Sequence, residues 1–215
     1  MHFHVITLFP KAFDSYLGES ILKRAIEDRK IKVSFYNPRD FTDNKWRRID
    51  RPPYGGGPGL VIEVLPVVKA IEVAIKKSKS AFKIIFLVPG GKQFTNSYAA
   101  GVAKKYKDIV IVCGRYEGID VRVRKVFKTD EISVGPFVLT GGELPAMIIL
   151  DVIARQVPGV LGNLDSIEER RISSSEVYTR PEVFSYKGKK YRVPKILLSG
   201  HSAKIKEWKR KLDKK

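Results

Sequence analysis

Three apolar runs in this 215-residue chain each end in a glycine-rich turn, where backbone can meet a small ligand. Phe86-Leu87-Val88 leads into Pro89-Gly90-Gly91, and Val110-Ile111-Val112-Cys113 into Gly114-Arg115-Tyr116-Glu117-Gly118. Ile132-Ser133-Val134 leads into Gly135-Pro136 and then Thr140-Gly141-Gly142-Glu143. Glycine lets N–H and C=O groups approach a ligand with no Cβ in the way. One such turn carries little weight, because structural turns also favour glycine. Three at successive strand ends point to a pocket for a nucleoside-type ligand. No Gly-x-Gly-x-x-Gly opens a βαβ unit and no Gly-Lys-Ser/Thr is present, so the loops are not built for a pyrophosphate. Adenine and ribose without phosphate suit them better.

A fourth stretch, Tyr54-Gly55-Gly56-Gly57-Pro58-Gly59, must be a loop, because four glycines and a proline form no regular element. It follows Arg47, Arg48, Asp50 and Arg51. The plain reading is a surface excursion. The functional reading is a loop lying against a nucleotide, with Asp50 accepting from the N1–H and N2–H edge of a guanine. A last stretch, 177–215, carries 13 Lys/Arg against three acids, with Tyr178, Phe184, Tyr186, Tyr191 and Trp208 among them. Basic residues interleaved with stacking side chains suit RNA better than a membrane surface.

The elements that position these turns alternate. Residues 2–8, 31–36, 83–88, 109–113 and 131–134 read as strands, and 83–88 and 109–113 are apolar enough to be covered on both faces. Helices fall at 19–29, 94–105, 119–127 and 143–156, and from Val64 the stripe Val64, Val67, Val68, Ile71, Ala74, Ile75 has helical spacing. Residues 143–156 are apolar nearly all round, which predicts an interior or interface helix. The alternation predicts an α/β domain with a mostly parallel sheet over 1–162. The polar, serine-rich stretch 163–176 reads as a linker, and 177–215 as a small basic domain ending in a helix from Ser202 to about Leu212.

Composition narrows the class. Forty-one Lys/Arg against 23 Asp/Glu gives a net charge of +18, which favours a polyanionic partner; a Lys-rich thermophile surface is the plainer reading. A single cysteine, Cys113, excludes an internal disulfide and predicts a reducing, cytoplasmic setting. No apolar run approaches the ~20 residues of a membrane span, and the first residues lack the basic front of a signal peptide. His2, His4 and His201 read as scattered, so no metal site is expected.

Several segments together resemble the bacterial TrmD family, the tRNA (guanine-37-N1)-methyltransferases of the SPOUT superfamily. They are Tyr54 to Gly59, Gly114 to Arg122, Phe137 to Met147, Pro158 to Gly162, Tyr178 to Val183 and Leu198 to His201, in order along nearly the whole chain. The resemblance implies a SPOUT-type parallel sheet flanked by helices, with a C-terminal trefoil knot, plus a small, mainly helical C-terminal domain. It implies a homodimer with each active site shared between subunits, and S-adenosyl-L-methionine as cofactor. That cofactor would lie against Phe86, Leu87, Val88, Pro89, Gly114, Tyr116, Glu117, Val134, Gly135, Phe137, Val138, Leu139, Gly141, Gly142 and Pro145. The tRNA anticodon arm would be held by Asp50, Tyr54, Gly59, Arg180, His201, Lys204 and Trp208. The family's reaction involves magnesium, and nothing in the sequence locates a site for it.

Guanine N1 carries a proton at neutral pH, so a base must take it as the methyl group arrives, and charge building on O6 calls for a cation. In the family the cation is an arginine after the Gly-Gly-Glu helix, matched here by Arg155; the plainer role for Arg155 is to complement the helix dipole. The family's base is an aspartate in a Ser-x-Glu-Glu-Asp context. Here the stretch is Ser166-Ile167-Glu168-Glu169-Arg170, so arginine stands in its place. Three readings follow: Glu169, with Glu168 beside it, takes the proton; Arg170 acidifies the guanine and water takes it; or activity is weakened. The first is preferred. Smaller departures are Pro136-Phe137 for the family's Asp-Tyr, Val88 and Gly90 for a Ser and a Gln, and Val177 where a histidine is common. The chain also ends soon after Trp208, short of the family's usual extension, as a compact lineage or part of a longer protein would. Two alternatives remain: a methyltransferase for another RNA base, and an RNA-binding relative without catalysis.

Overall fold

The computed structural model describes residues 1–78, 80–162 and 176–212. They form two compact units, one ending at Gly162 and one within 163–215. The first unit runs β1 (His2–Ile6), α1 (Asp14–Leu17), α2 (Ser20–Glu27), β2 (Lys32–Tyr36), β3 (Asp50–Arg51), β4 (Val61–Ile62), α3 (Val64–Lys76), β5 (Phe82–Gln93), α4 (Asn96–Lys105), β6 (Asp108–Val112), α5 (Arg122–Val126), β7 (Asp130–Ser133) and α6 (Glu143–Ala154). Five strands make one sheet in the order β2-β1-β6-β5-β7, and every neighbouring pair is parallel. This is the parallel α/β sheet that the alternation predicts.

Both faces of the sheet are covered, and the period-two geometry of a strand sorts the side chains between them. Phe3, Val5, Ile85, Ile109 and Ile111 pack on one face with Leu22 and Ala25 of α2, Ala99 of α4 and Ala146, Ile149, Leu150 and Ile153 of α6. Ile84, Phe86, Val110 and Val112 pack on the other with Val67, Ala70, Ile71 and Ala74 of α3 and Val123 of α5. Every residue of β6 is buried, as expected of a central parallel strand. At the sheet margin Lys83 pairs with Asp130 at 2.6 Å and the Tyr98 hydroxyl donates to Asp130 at 2.8 Å. Burial alone would raise the Asp130 carboxyl, but these two donors outweigh it and hold it below the ordinary carboxylate range.

Within the first unit three departures from the sequence reading bear on the site. β5 does not stop at Val88. It pairs with β7 through Ile85–Leu87, steps over four residues, and pairs again through Lys92 and Gln93. Gly91 closes on β7 so tightly that a Cβ there would lie 2.7 Å from Ile132 backbone, which is why Pro89-Gly90-Gly91 read as a strand-ending turn. The helix expected over 119–127 shrinks to Arg122–Val126 because Ile119 is taken up in a bridge to Ile62. Asp50 sits not in a loop but in β3, paired with Ile62 of β4.

The second unit, taken alone, contains a hairpin of β8 (Val183–Tyr186) and β9 (Lys189–Arg192), then α7 (Lys195–Leu198) and α8 (Ser202–Leu212). The hairpin adds strand to a domain expected to be mainly helical. Its two-residue turn, Lys187-Gly188, takes positive φ at both positions, a turn that a Lys-Gly pair signals less clearly than Asn-Gly or Asp-Gly. Phe184 and Tyr186 stack with ring centroids 6.3 Å apart, and Tyr191 lies 6.2 Å from Phe184. Most of this unit's residues are exposed.

Candidate active site

A cavity of about 350 Å³ opens beside the middle of β5, where it steps away from β7, and at the carboxyl ends of β6 and β7. Its wall is made by the three glycine-rich turns together: Phe86 to Pro89 from the first, Gly114 to Ile119 from the second, and Val134, Phe137 to Gly142 and Pro145 from the third. Of the fifteen residues expected to meet a cofactor, all but Gly135 line it, and Gly135 adjoins Val134. Arg115, Gly118, Ile119, Arg124, Ile132, Ser133 and Thr140 also line it and were not among the expected cofactor contacts, though all but Ile119 and Arg124 belong to the apolar runs and glycine-rich turns singled out from sequence.

The turns are held to one another by backbone and by one buried ionic network. Gly142 N–H donates to Gly114 O at 2.9 Å. A Cβ on Gly142 would lie 2.7 Å from Cys113 Cα and 2.9 Å from Gly114 N, so only glycine allows α6 to start this close to β6. Glu143, the first residue of α6, is buried. It accepts from Arg115 Nε at 2.9 Å and from Thr7 Oγ1 at 2.8 Å. Arg115 also donates to Thr140 O at 3.2 Å and lies over the Phe9 ring, 4.6 Å from its centroid. The exits of β1 and β6 and the 140–143 turn are therefore fastened through one carboxylate.

A second depression adjoins the first and shares Glu117 and Ile119 with it. Its wall includes Asn44, Arg51, Tyr54, Glu63, Asp120 and Arg122. The shared loop is pinned to β4, for Glu117 N–H donates to Leu60 O and Ile62 N–H to Gly118 O, both at 3.0 Å. Gly59, at φ +86°, would drive a Cβ to 2.6 Å from Glu117 Cγ. Of the residues expected to meet tRNA in this unit, Tyr54 lines the depression, Gly59 packs on its shared wall, and Asp50, next to the lining residue Arg51, lies 4.0 Å from Arg48 Nε.

Arg155 directly follows α6, whose first turn borders the cavity. The twelve residues of α6 span about 18 Å at 1.5 Å per residue, so within one chain Arg155 stands a helix length from the Gly141-Gly142 turn. Glu168, Glu169 and Arg170 lie outside the described residues. In the second unit Arg180, His201 and Lys204 are exposed and Trp208 is half-buried.

The histidines are less scattered than they look in sequence. His2 and His4 stand side by side on β1, against Asp108 at the start of β6. Their spacing of two on a strand was the available signal. No described helix is long and apolar enough to cross a membrane.

The cavity fits the expected cofactor class. Its volume falls in the range of small-molecule sites, and its wall is mostly apolar side chains and glycine backbone. Arg124, one of its lining residues, has a buried Nε with no acceptor among the described residues, so a bound group offering a lone pair would satisfy it.

Comparison with known proteins agrees. Residues 1–215 match the family described as tRNA (Guanine-1)-methyltransferase TrmD. The chain is 44% identical to the tRNA (guanine-N(1)-)-methyltransferase of Clostridioides difficile (strain 630), over 98% of this chain and 91% of that protein. It is also 44% identical to the enzymes of the same name from Desulforamulus reducens and Thermomicrobium roseum, over 98% of this chain and 83% and 78% of theirs. The chain belongs to the TrmD family.

Proposed function

We propose that this TrmD-family protein transfers a methyl group from S-adenosyl-L-methionine to N1 of guanine in tRNA, at position 37 beside the anticodon, in the cytoplasm. The observation that carries this reading is the pair of adjoining depressions, one walled by Phe86 to Pro89 of β5 and by the glycine-rich turns after β6 and β7, and one reached across Glu117. The cofactor supplies an electrophilic methyl on a sulfonium. The chain's own groups do the rest. Phe86 to Pro89, Gly114 and Gly141-Gly142 hold the nucleoside end without phosphate contacts. Asp50, Tyr54 and Gly59 face the target nucleotide, and the 177–215 domain grips the anticodon arm with Arg180, His201, Lys204 and Trp208.

The transfer needs two further groups. Glu169, with Glu168 beside it, takes the N1 proton, and the Arg155 guanidinium meets the charge that grows on O6. Because α6 separates Arg155 from the cavity within one chain, a second copy brings that arginine to the site, which makes the working unit a homodimer. The surface of α6 supports this: Leu144 and Ile148, four residues apart on the helix, are both exposed, an apolar stripe that self-association would cover. In this reading the sheet carries the family's C-terminal trefoil knot, and magnesium takes part without a fixed site.

The test is single-turnover methyl transfer from labelled S-adenosylmethionine to a tRNA transcript with guanine at position 37 and to the same tRNA with adenine there. Transfer confined to the guanine tRNA, and largely lost in Glu169→Gln, supports the specificity and the base. No transfer to either tRNA despite cofactor binding overturns the reading.

A further inference from the structure

At the edge of the sheet opposite the cavity, three ligand-type side chains converge where strands begin rather than end. β1 and β6 run parallel with His2 opposite Asp108, and residues two apart on a strand share a face, so His2 and His4 both lie toward Asp108. His4 Nε2 is 3.0 Å and His2 Nδ1 is 3.7 Å from the same carboxylate oxygen, Asp108 Oδ1. The three atoms all lie within 4.8 Å of one another, and the two rings are 3.8 Å apart at their centroids. Ligands of a tetrahedral zinc at about 2.0–2.1 Å are themselves separated by about 3.3 Å. The spacings found bracket that value.

The remaining polar atom of each of these side chains is occupied, in each case by a hydroxyl. His2 Nε2 is 2.9 Å from Ser34 Oγ, and His4 Nδ1 is 2.9 Å from Tyr36 Oη. Ser80 Oγ donates to the outer oxygen, Asp108 Oδ2, at 2.7 Å. A metal site needs this outer set of partners, because a hydrogen bond at the far nitrogen fixes the tautomer and aims the near one. Hydroxyls can accept as well as donate, so Ser34 and Tyr36 suit imidazoles carrying their proton at the far nitrogen. Asp108 Oδ1, the oxygen nearest both rings, has His4 Nε2 as its hydrogen-bond partner at 3.0 Å, the contact that an ion would replace. His4 is fully buried, while His2 borders a shallow surface depression with Ser80 and Asp108, which gives an ion an entry path and a solvent position.

We propose that His2, His4 and Asp108 form a binding site for a single borderline divalent transition ion, zinc being the natural one, which clips the start of β1 to the start of β6. The donor set of two imidazoles and a carboxylate selects zinc, cobalt, nickel or copper over magnesium and calcium. Arg29, Lys32 and Lys107 line the same depression. They oppose a cation, so the affinity is moderate and falls at low ionic strength. On binding, the ion takes the place of the proton between His4 Nε2 and Asp108; a neutral His4 then carries its proton at Nδ1, toward Tyr36, and only an imidazolium releases one to solvent. The role is structural, because the ligand nearest the cavity end, His4, stands three residues before Thr7 along β1, about 10 Å at about 3.3 Å per residue.

The experiment is titration of the full chain with Co²⁺, read by visible absorption and by paramagnetically shifted histidine ring protons, followed by thermal unfolding with excess Zn²⁺. The expected result is one equivalent bound, two shifted imidazoles, and a melting temperature raised by at least about 2–4 °C. His2→Gln, at the more exposed ligand, should abolish the cobalt spectrum while leaving the metal-free melting temperature near wild type. His201→Gln, which alters the one histidine outside the cluster, should change neither. Because Asp108→Asn could disturb folding, the proton spectrum of the wild type stands as the mutation-free readout. No stoichiometric binding, or a spectrum that survives His2→Gln, overturns the proposal and leaves a hydrogen-bond network alone.

Discussion

The Arg115–Glu143 pair gives the sharpest prediction. Glu143 has 4% of its side chain exposed and Arg115 has 26%. Replacing Arg115 by methionine keeps most of the side chain's volume but strands a buried carboxylate whose remaining donor is the Thr7 hydroxyl. Breaking a buried pair from one side costs about 3–5 kcal/mol, and the partial exposure of Arg115 puts the expected loss near the low end, about 3 kcal/mol. At about 2–4 °C per kcal/mol for a chain of this size, Arg115→Met should lower the melting temperature by about 6–12 °C. The double variant Arg115→Met/Glu143→Gln removes the stranded charge, so most of that loss should return. Cofactor affinity should fall in both, because each frees the Thr140–Gly142 turn from the exit of β6. The assays are thermal unfolding of the four members of the cycle and calorimetric titration with S-adenosylmethionine. A melting temperature for Arg115→Met within about 2 °C of wild type, or a double variant no more stable than the single, would refute the argument that this carboxylate depends on its arginine.

Three further outcomes are expected. Gly142→Ala, whose Cβ would meet Cys113 Cα at 2.7 Å, should cost about 1–3 kcal/mol of stability through overpacking and at least about tenfold in cofactor affinity, measured by the same titration; unchanged binding would mean that the close approach does not shape the cavity. Arg155→Ala should abolish methyl transfer in single-turnover assays while leaving cofactor affinity unchanged, and near-normal transfer would remove it from the mechanism. The Asp130 carboxyl lies lower folded than unfolded, since Lys83 and Tyr98 outweigh its burial, so its contribution is full above about pH 4 and is lost as pH falls toward the folded value. In acid titrations followed by circular dichroism, Asp130→Asn should therefore be less stable than wild type near neutrality, and the difference should shrink as the pH falls below about 4. A constant gap across that range would assign the loss to packing.

The second unit holds an element that local pattern did not mark. Residues 183–192, in the basic domain that the resemblance makes mainly helical, pair as a hairpin. Exposed strands rich in lysine and tyrosine lack the apolar alternation that marks a half-buried strand, and the pairing rests on a turn and on rings stacked along one face. The helix at 202–212, by contrast, has no competing reading and matches from Ser202 to Leu212.

The sequence by itself determined the parallel sheet, because runs such as Ile109 to Val112 are apolar at every position, too short for a helix and bounded by turn residues, as a strand covered on both faces is. It also pointed to the cavity, through glycine-rich stretches after three successive apolar runs, and it carried the family through motifs spread over the whole chain. Only the tertiary structure decided which distant residues meet. Thr7 and Glu143 are 136 positions apart and His4 and Asp108 are 104 apart. Each of these residues, read locally, is an ordinary polar residue at the end of an element. What makes them a buried ionic lock or a ligand cluster is strand order: β6 lies beside β1 in the sheet, and local propensity carries no information on which strands pair across a hundred residues.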